Sequence, residues 1–260
     1  MNAQNDIFPF GEKLKDVVQV DTTTPKKVFV LGVYASAVHA KWIDANNKML
    51  VRALAVASEP YIFWKGDKTE AQNIISKISI PPKYGKLVPV DSLNGQSGRS
   101  LDDNYLEPLN LSRKDAWLCD LVPHSFRNEK QDSALKRVYD KFPDLPGYSI
   151  PKVPKPLVTE DRINEILAEL KKSQADTIIL LGDQPIKYFL TRFPNEYNYK
   201  KLSDFEEYGK PIVVNIEGKD YKVIALAHPK QVSKLGQSNK KWAEEHEKWK
   251  IKMEKKTGHS

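Results

Sequence analysis

Two runs in this chain, Lys27-Val-Phe-Val-Leu-Gly32 and Thr177-Ile-Ile-Leu-Leu-Gly182, are apolar at every interior position and stop at glycine. A strand with one wet face alternates polar and apolar residues, whereas a strand covered on both faces does not. Unbroken runs of this kind predict the central strands of a parallel sheet with helices packed on each side. Ala116-Trp-Leu-Cys-Asp-Leu-Val122 is a third such run, with one acid, Asp120, inside it. Val223 to Leu226 is a fourth, and His228-Pro229 stops it, because proline cannot donate to a sheet ladder. The residues that follow are expected to leave the sheet as a loop carrying two cations, Lys230 and Lys234.

Helical spacing separates these runs. Thr159 opens a helix in which Ile163, Ile166, Leu167 and Leu170 fall at i, i+3, i+4 and i+7, and Pro185 sits in the first turn of another. Asn239 to Lys256 predicts a third helix, with Trp242, His246, Trp249 and Met253 in one stripe packed on the body. Asp67 can cap a helix carrying Ile74, Ile75 and Ile78, and Arg99 to Leu109 has a helical pattern. Val33 to His39 is expected as a loop, Met49 to Ser58 as a strand or a short helix, and Ile212 to Ile224 as a hairpin. Residues 141–158 are rich in proline and form an irregular connection, and residues 1–25 are polar and predict an arm outside the core. The expected architecture is a three-layer α/β/α sandwich with a mostly parallel central sheet, one domain over residues 26–256.

A net charge of +7 favours a polyanionic partner. Cys119 is the only cysteine, so a disulfide within the chain and a cysteine-based zinc or iron–sulfur site are excluded. The sequence has no apolar run approaching 18 residues and no signal-like start, which predicts a soluble, cytoplasmic protein. Phosphate-loop, dinucleotide, nucleophile-elbow and zincin signatures are absent. What remains is a set of loops after strands: Gly32–His39, Asn94–Gly98, Asp120–Arg127, Gly182–Pro185 and His228–Lys234. In a parallel sheet most of these meet at one end.

In order along the chain stand Leu31-Gly32-Val33-Tyr34-Ala35, then Gly95-Gln96-Ser97-Gly98-Arg99-Ser100-Leu101, then Trp117-Leu118-Cys119-Asp120. Ile178-Ile-Leu-Leu-Gly182 and His228-Pro-Lys-Gln-Val-Ser233 complete the series. This order resembles the uracil-DNA glycosylase superfamily over about residues 26–250. The resemblance implies that fold, excision of a damaged or modified base from DNA by hydrolysis of its N-glycosidic bond, and a monomer that flips the base out without a cofactor or metal. Repair and defence against foreign DNA are the settings it implies. The chain departs from the pattern at several positions. Val33 and Tyr34 stand where the family holds a water-activating carboxylate or asparagine, and Ala35 replaces a proline. Asp120 stands for the base-reading asparagine, Lys230 for a serine and Val232 for a leucine wedge.

The resemblance assigns roles that the residue types can carry. His228 would donate a hydrogen bond to the departing base, and Asp120 would orient water, stabilise a cationic sugar or accept from an exocyclic amine. The last of these would favour a cytosine- or adenine-like base over uracil, a modified cytosine among the candidates. Gly32, Tyr34, Ser36, His39, Glu59, Phe63, Gln96 and Ser97 would line the substrate site, with Tyr34 or Phe63 stacked on the base. Lys230, Val232, Ser233 and Lys234 would contact DNA. Asp120 serves equally well as a structural cap, and His39 and His124 as loop histidines. The alternative function is a nucleic-acid-binding module that kept the fold and lost the chemistry; a weaker one is a hydrolase of free nucleosides or nucleotides.

Overall fold

The computed structural model describes residues 6–194, 198–232 and 240–258. Its strands are β1 (Val28–Tyr34), β2 (Ala37–Ile43), β3 (Met49–Ser58), β4 (Lys86–Pro89), β5 (Ala116–Val122), β6 (Thr177–Leu181), β7 (Ile212–Ile216) and β8 (Lys219–Leu226). The α-helices are α1 (Lys68–Ser76), α2 (Gln96–Leu101), α3 (Glu129–Arg137), α4 (Glu160–Ser173), α5 (Asp183–Tyr188), α6 (Pro229–Val232) and α7 (Lys240–Thr257). They gather into two compact units, one of Met1–Val17, Tyr34–Gln96 and Pro123–Lys155, the other of Val18–Val33, Ser97–Val122 and Pro156–Ser260.

The second unit is built on a five-stranded sheet ordered β5-β1-β6-β8-β7. β1 pairs parallel with β6, and β6 with β8, in registers Val28↔Thr177 and Thr177↔Lys222. The Lys27 amide donates to the Asp115 carbonyl at 2.8 Å, tying the start of β5 to the start of β1. The mostly parallel sheet and flanking helices are those the unbroken apolar runs require. Phe29, Val30, Leu31 and Ile178 to Leu181 are wholly buried, each large side chain contributing about 1.5–3 kcal/mol. α4 packs on β5, opened by Thr159, whose hydroxyl accepts from the Arg162 amide. From α4, Arg162 donates to the Asp120 carbonyl at 2.8 Å and reaches the Cys119 thiol, while Glu169 accepts from Trp117 Nε1 at 2.9 Å. β7 returns antiparallel to β8 through Glu217-Gly218, both at positive φ, the handedness a two-residue hairpin needs.

The first unit holds the antiparallel sheet β3-β2-β4. Met49–Ser58 is therefore a strand, but one that belongs to this separate sheet. Its partner β2 occupies the second half of the expected loop Val33–His39: Ala37, Val38, Ala40 and Trp42 bury against β3 and β4 in place of leading a loop over the surface. The polar arm also needs correction. Phe8, Phe10, Leu14 and Val17 are buried, and Phe10 packs edge-on against Trp42 and Tyr139 with ring centres 5.3 and 5.1 Å apart. Asp67 caps α1 as expected, accepting from the Glu70 amide at 2.9 Å. On the exposed side of β3, the Gln131 side chain accepts from the Ala55 amide at 3.0 Å and donates to the Ala53 carbonyl at 3.3 Å. The helix expected over Arg99–Leu109 forms, running from α2 through a π-turn at Asp102–Leu106 and a 3-10 turn at Glu107–Leu109 and ended by Asn110 in the left-handed region.

Candidate active site

The carboxyl ends of the parallel strands in the second unit carry Gly32, Asp120, Gly182 and His228. Gly182 directly follows β6 and Gly32 lies two residues before the end of its neighbour β1, with Asp120 on the β5 side and His228 on the β8 side. Three strand spacings, about 14 Å, separate β5 from β8. That leaves room for a nucleoside between the two side chains rather than a direct bond between them.

His228 is half-buried and tightly placed. Instead of entering a loop, the chain makes one helical turn, α6, with Pro229 first and with the Gln231 amide donating to the His228 carbonyl at 2.7 Å. The Gln231 side chain accepts from the His228 amide at 2.9 Å. Lys230 N–H donates to Nδ1 of the ring at 3.2 Å, so the ring proton resides on Nε2. Desolvation, helped by the Lys230 charge, pulls the imidazole down to about 4, which keeps it neutral near pH 7. Gly182 makes this placement possible: its φ is +90°, and a Cβ there would stand 3.1 Å from the His228 Cβ.

Asp120 is 5% exposed on a strand whose residues are all buried. Alternation turns it away from Cys119, which faces Arg162 on α4. Among the described residues none donates a hydrogen bond to its carboxyl group. Burial pushes that group well above the usual carboxylate range, with Arg162 drawing it back in part. A neutral imidazole donor at the end of β8 and a desolvated acid on β5, with β1 and β6 between them, can polarise a leaving group on one side and hold water or positive charge on the other. Lys230 is exposed and Val232 half-exposed on α6, and Ser97 is half-exposed on α2. Ser233 and Lys234 lie outside the described residues.

The remaining candidates belong to the first unit. Tyr34 is 40% exposed, its ring edge-on to Phe126 at 5.3 Å, and desolvation raises its phenol. Phe126 in turn meets the buried His124 at 4.9 Å. His39 lies within β2, its amide and carbonyl bracketed by the Asn94 side chain at 2.8 and 3.1 Å. Its Nδ1 is buried without a hydrogen bond, and desolvation lowers its pKa. Ser36 precedes β2 and Glu59 follows β3, next to the Ala37↔Ser58 pair; Glu59 is buried. Phe63 is buried at φ 50°, a costly conformation for a bulky residue. Gln96 is exposed, its amide donating back to the Ser92 carbonyl. Four residues that shape the surroundings of His228 are missing from the sequence-derived set: Gly182, Gln231, Tyr105 and Tyr208. Gly182 was visible as a strand terminator; the tyrosines, far away in the chain, carried no signal.

The model of the uracil DNA glycosylase superfamily matches residues 91–249, more than half of the chain. The chain belongs to the uracil DNA glycosylase superfamily. The matched stretch includes Asp120, the strand ending in Gly182 and His228-Pro229, and the mostly parallel sheet agrees with that fold. The first strand, β1, precedes it. No curated protein matches the chain. No helix among the described residues is long and apolar enough to cross a membrane.

Proposed function

We propose that this protein is a DNA glycosylase that excises a damaged or modified base, with His228 and Asp120 as its catalytic residues. The observation that carries the proposal is the fixed, neutral His228, whose Nδ1 is occupied by the Lys230 amide. Its Nε2–H is left to donate to a base carbonyl that gains negative charge as the glycosidic bond breaks. A neutral donor suits an anion leaving at neutral pH, and one such preorganised donor is worth up to ~3 kcal/mol. Positive charge growing on the sugar favours loss of the Asp120 proton to solvent, and the carboxylate then stabilises the cation and takes a proton from the attacking water. Water oxygen bonds to C1′, the bond electrons leave with the base, and the base is reprotonated from solvent. Lys230 and Val232 would meet the backbone and the vacated stack.

The same fold without chemistry remains the second reading, and one observation favours it. Tyr34, at the position of the family's water-activating group, packs on Phe126 with its phenol raised and cannot serve as a base near neutral pH. The test incubates the protein with oligonucleotides bearing uracil, hypoxanthine or modified cytosines, then cleaves abasic sites with alkali. Glycosylase action gives strand scission that falls at least tenfold in Asp120→Asn. Binding without scission on every substrate would establish the module instead.

A further inference from the structure

The peptide groups of Ala227, the buried residue before His228, are held by two tyrosines from distant parts of the second unit. Ala227 N–H donates to Tyr208 Oη at 2.8 Å, and Tyr105 O–H donates to the Ala227 carbonyl at 2.6 Å. β8 ends at Leu226, so these hydroxyls take over where the strand ladder stops. Tyr208 lies 2.6 Å from His246 Nδ1, and His246 Nε2 lies 2.9 Å from the Asn104 carbonyl. Only one arrangement of protons satisfies this chain. A carbonyl only accepts, so His246 carries its proton on Nε2 and offers the Nδ1 lone pair. Tyr208 then donates its single proton to Nδ1, which leaves its oxygen free to accept from Ala227.

His246 is fully buried, its ring 4.5 Å from Tyr105 and 5.1 Å from Trp249. Desolvation holds it near 4, so the relay stays neutral. Asn104 is pinned in turn, donating to Ser100 Oγ at 3.0 Å and accepting from Lys250 Nζ at 3.0 Å. Asn104 and Tyr105 both lie in the π-turn, whose wider winding is a common mark of functional sites. α7 thus supplies His246 and Lys250, one turn apart, to the segment that supports Ala227.

We infer that Tyr208, His246 and Tyr105 are positioning residues for His228, fixing the peptide before it so that Nδ1 stays under the Lys230 amide and Nε2–H faces the leaving base. The inference rests on the glycosylase reading for its catalytic consequence, not for its geometry. Outer partners of this kind change rates by about 10–100-fold when removed, by analogy with those that orient metal-bound histidines.

Two measurements separate the parts. Nitrogen-15 NMR of the imidazoles in the full chain reports the tautomer of His228. The expected wild-type ring is Nε2–H; Tyr208→Phe, and independently Tyr105→Phe, should give a tautomer mixture while near-ultraviolet circular dichroism stays native. On the substrate the wild type cleaves, Tyr208→Phe should lower kcat about 10–100-fold with KM within about twofold. His246→Gln, whose amide can accept and donate at the same two points, should restore most of the rate lost in His246→Phe. An unchanged His228 tautomer in both tyrosine variants overturns the inference. Tautomer changes as stated, in a wild-type protein that releases no base, uphold the positioning and sink the glycosylase reading.

Discussion

His228 and His39 are both pushed below the ordinary histidine range by burial, yet their surroundings differ. At the end of β8 the polar groups find partners: Nδ1 meets Lys230, the amide meets Gln231, and Ala227 is bracketed by two hydroxyls. In the first unit, His39 Nδ1, on β2, and Ser125 Oγ, past the end of β5, are buried with none. That region draws its rigidity from close packing instead. A Cβ at Gly95 would fall 1.9 Å from the Lys65 carbonyl carbon, and one at Gly66 would fall 2.2 Å from the Asn94 oxygen. Saturated hydrogen bonding aims a side chain; tight backbone packing only fixes a loop.

The sharpest way to break the contrast is His228→Ala, which should cut base release by about 10²–10³-fold with the protein still folded, measured by alkali-sensitive scission. Smaller losses would mean that the end of β8 does not aim the chemistry. Next in size, Gly95→Ala should destabilise by about 3 kcal/mol in denaturant titration, because backbone must move. Gly182→Ala, meeting only the His228 Cβ at 3.1 Å, should cost about 1–2 kcal/mol and shift the His228 imidazole resonances, which Gly95→Ala should not.

A pH series tests the relay. The His246 pKa is lowered to about 4 when folded, so the unfolded chain takes up its proton first as pH falls below the ordinary 6.5. Stability from this group is therefore intact above 6.5 and lost on the way down to 4, by about 3 kcal/mol. His246→Gln should flatten that slope relative to wild type in melts at successive pH values. The smallest effect is expected for His39→Leu, a change within about 0.5 kcal/mol, because no partner is orphaned by removing Nδ1. A loss of 2 kcal/mol or more there would reveal a bond to His39 that the contrast denies.

Much of the parallel sheet was legible because unbroken apolar runs and a threonine cap are local signals, as β1, β6 and α4 illustrate, although of the two expected glycine stops Gly182 ends β6 while β1 runs on through Gly32 to Tyr34. The sequence also named Asp120 and His228, through the order of strand ends. β2 was hidden because Ala37, Ala40 and Lys41 dilute its apolar pattern, and its burial comes from partners 6 to 49 residues away. Phe8 and Phe10 were hidden for a similar reason: two aromatics in a polar stretch reveal nothing until Tyr139 and Trp42 meet Phe10, and Leu14, Ala37 and Ile150 cluster with Phe8. The supports of His228 were the least visible. Tyr105, Tyr208 and His246 lie 122, 19 and 142 residues from the atoms they bond, and no short motif spans such distances.

Gln131 has a further consequence. Its side-chain amide sets a carbonyl acceptor and an N–H donor at the spacing of a peptide unit, and both engage the backbone of β3. An incoming chain seeking to extend that sheet finds the first rung already taken and must evict a side chain anchored on α3 before it can dock. One residue thus satisfies two backbone groups at the edge of β3 at the cost of a single helix position.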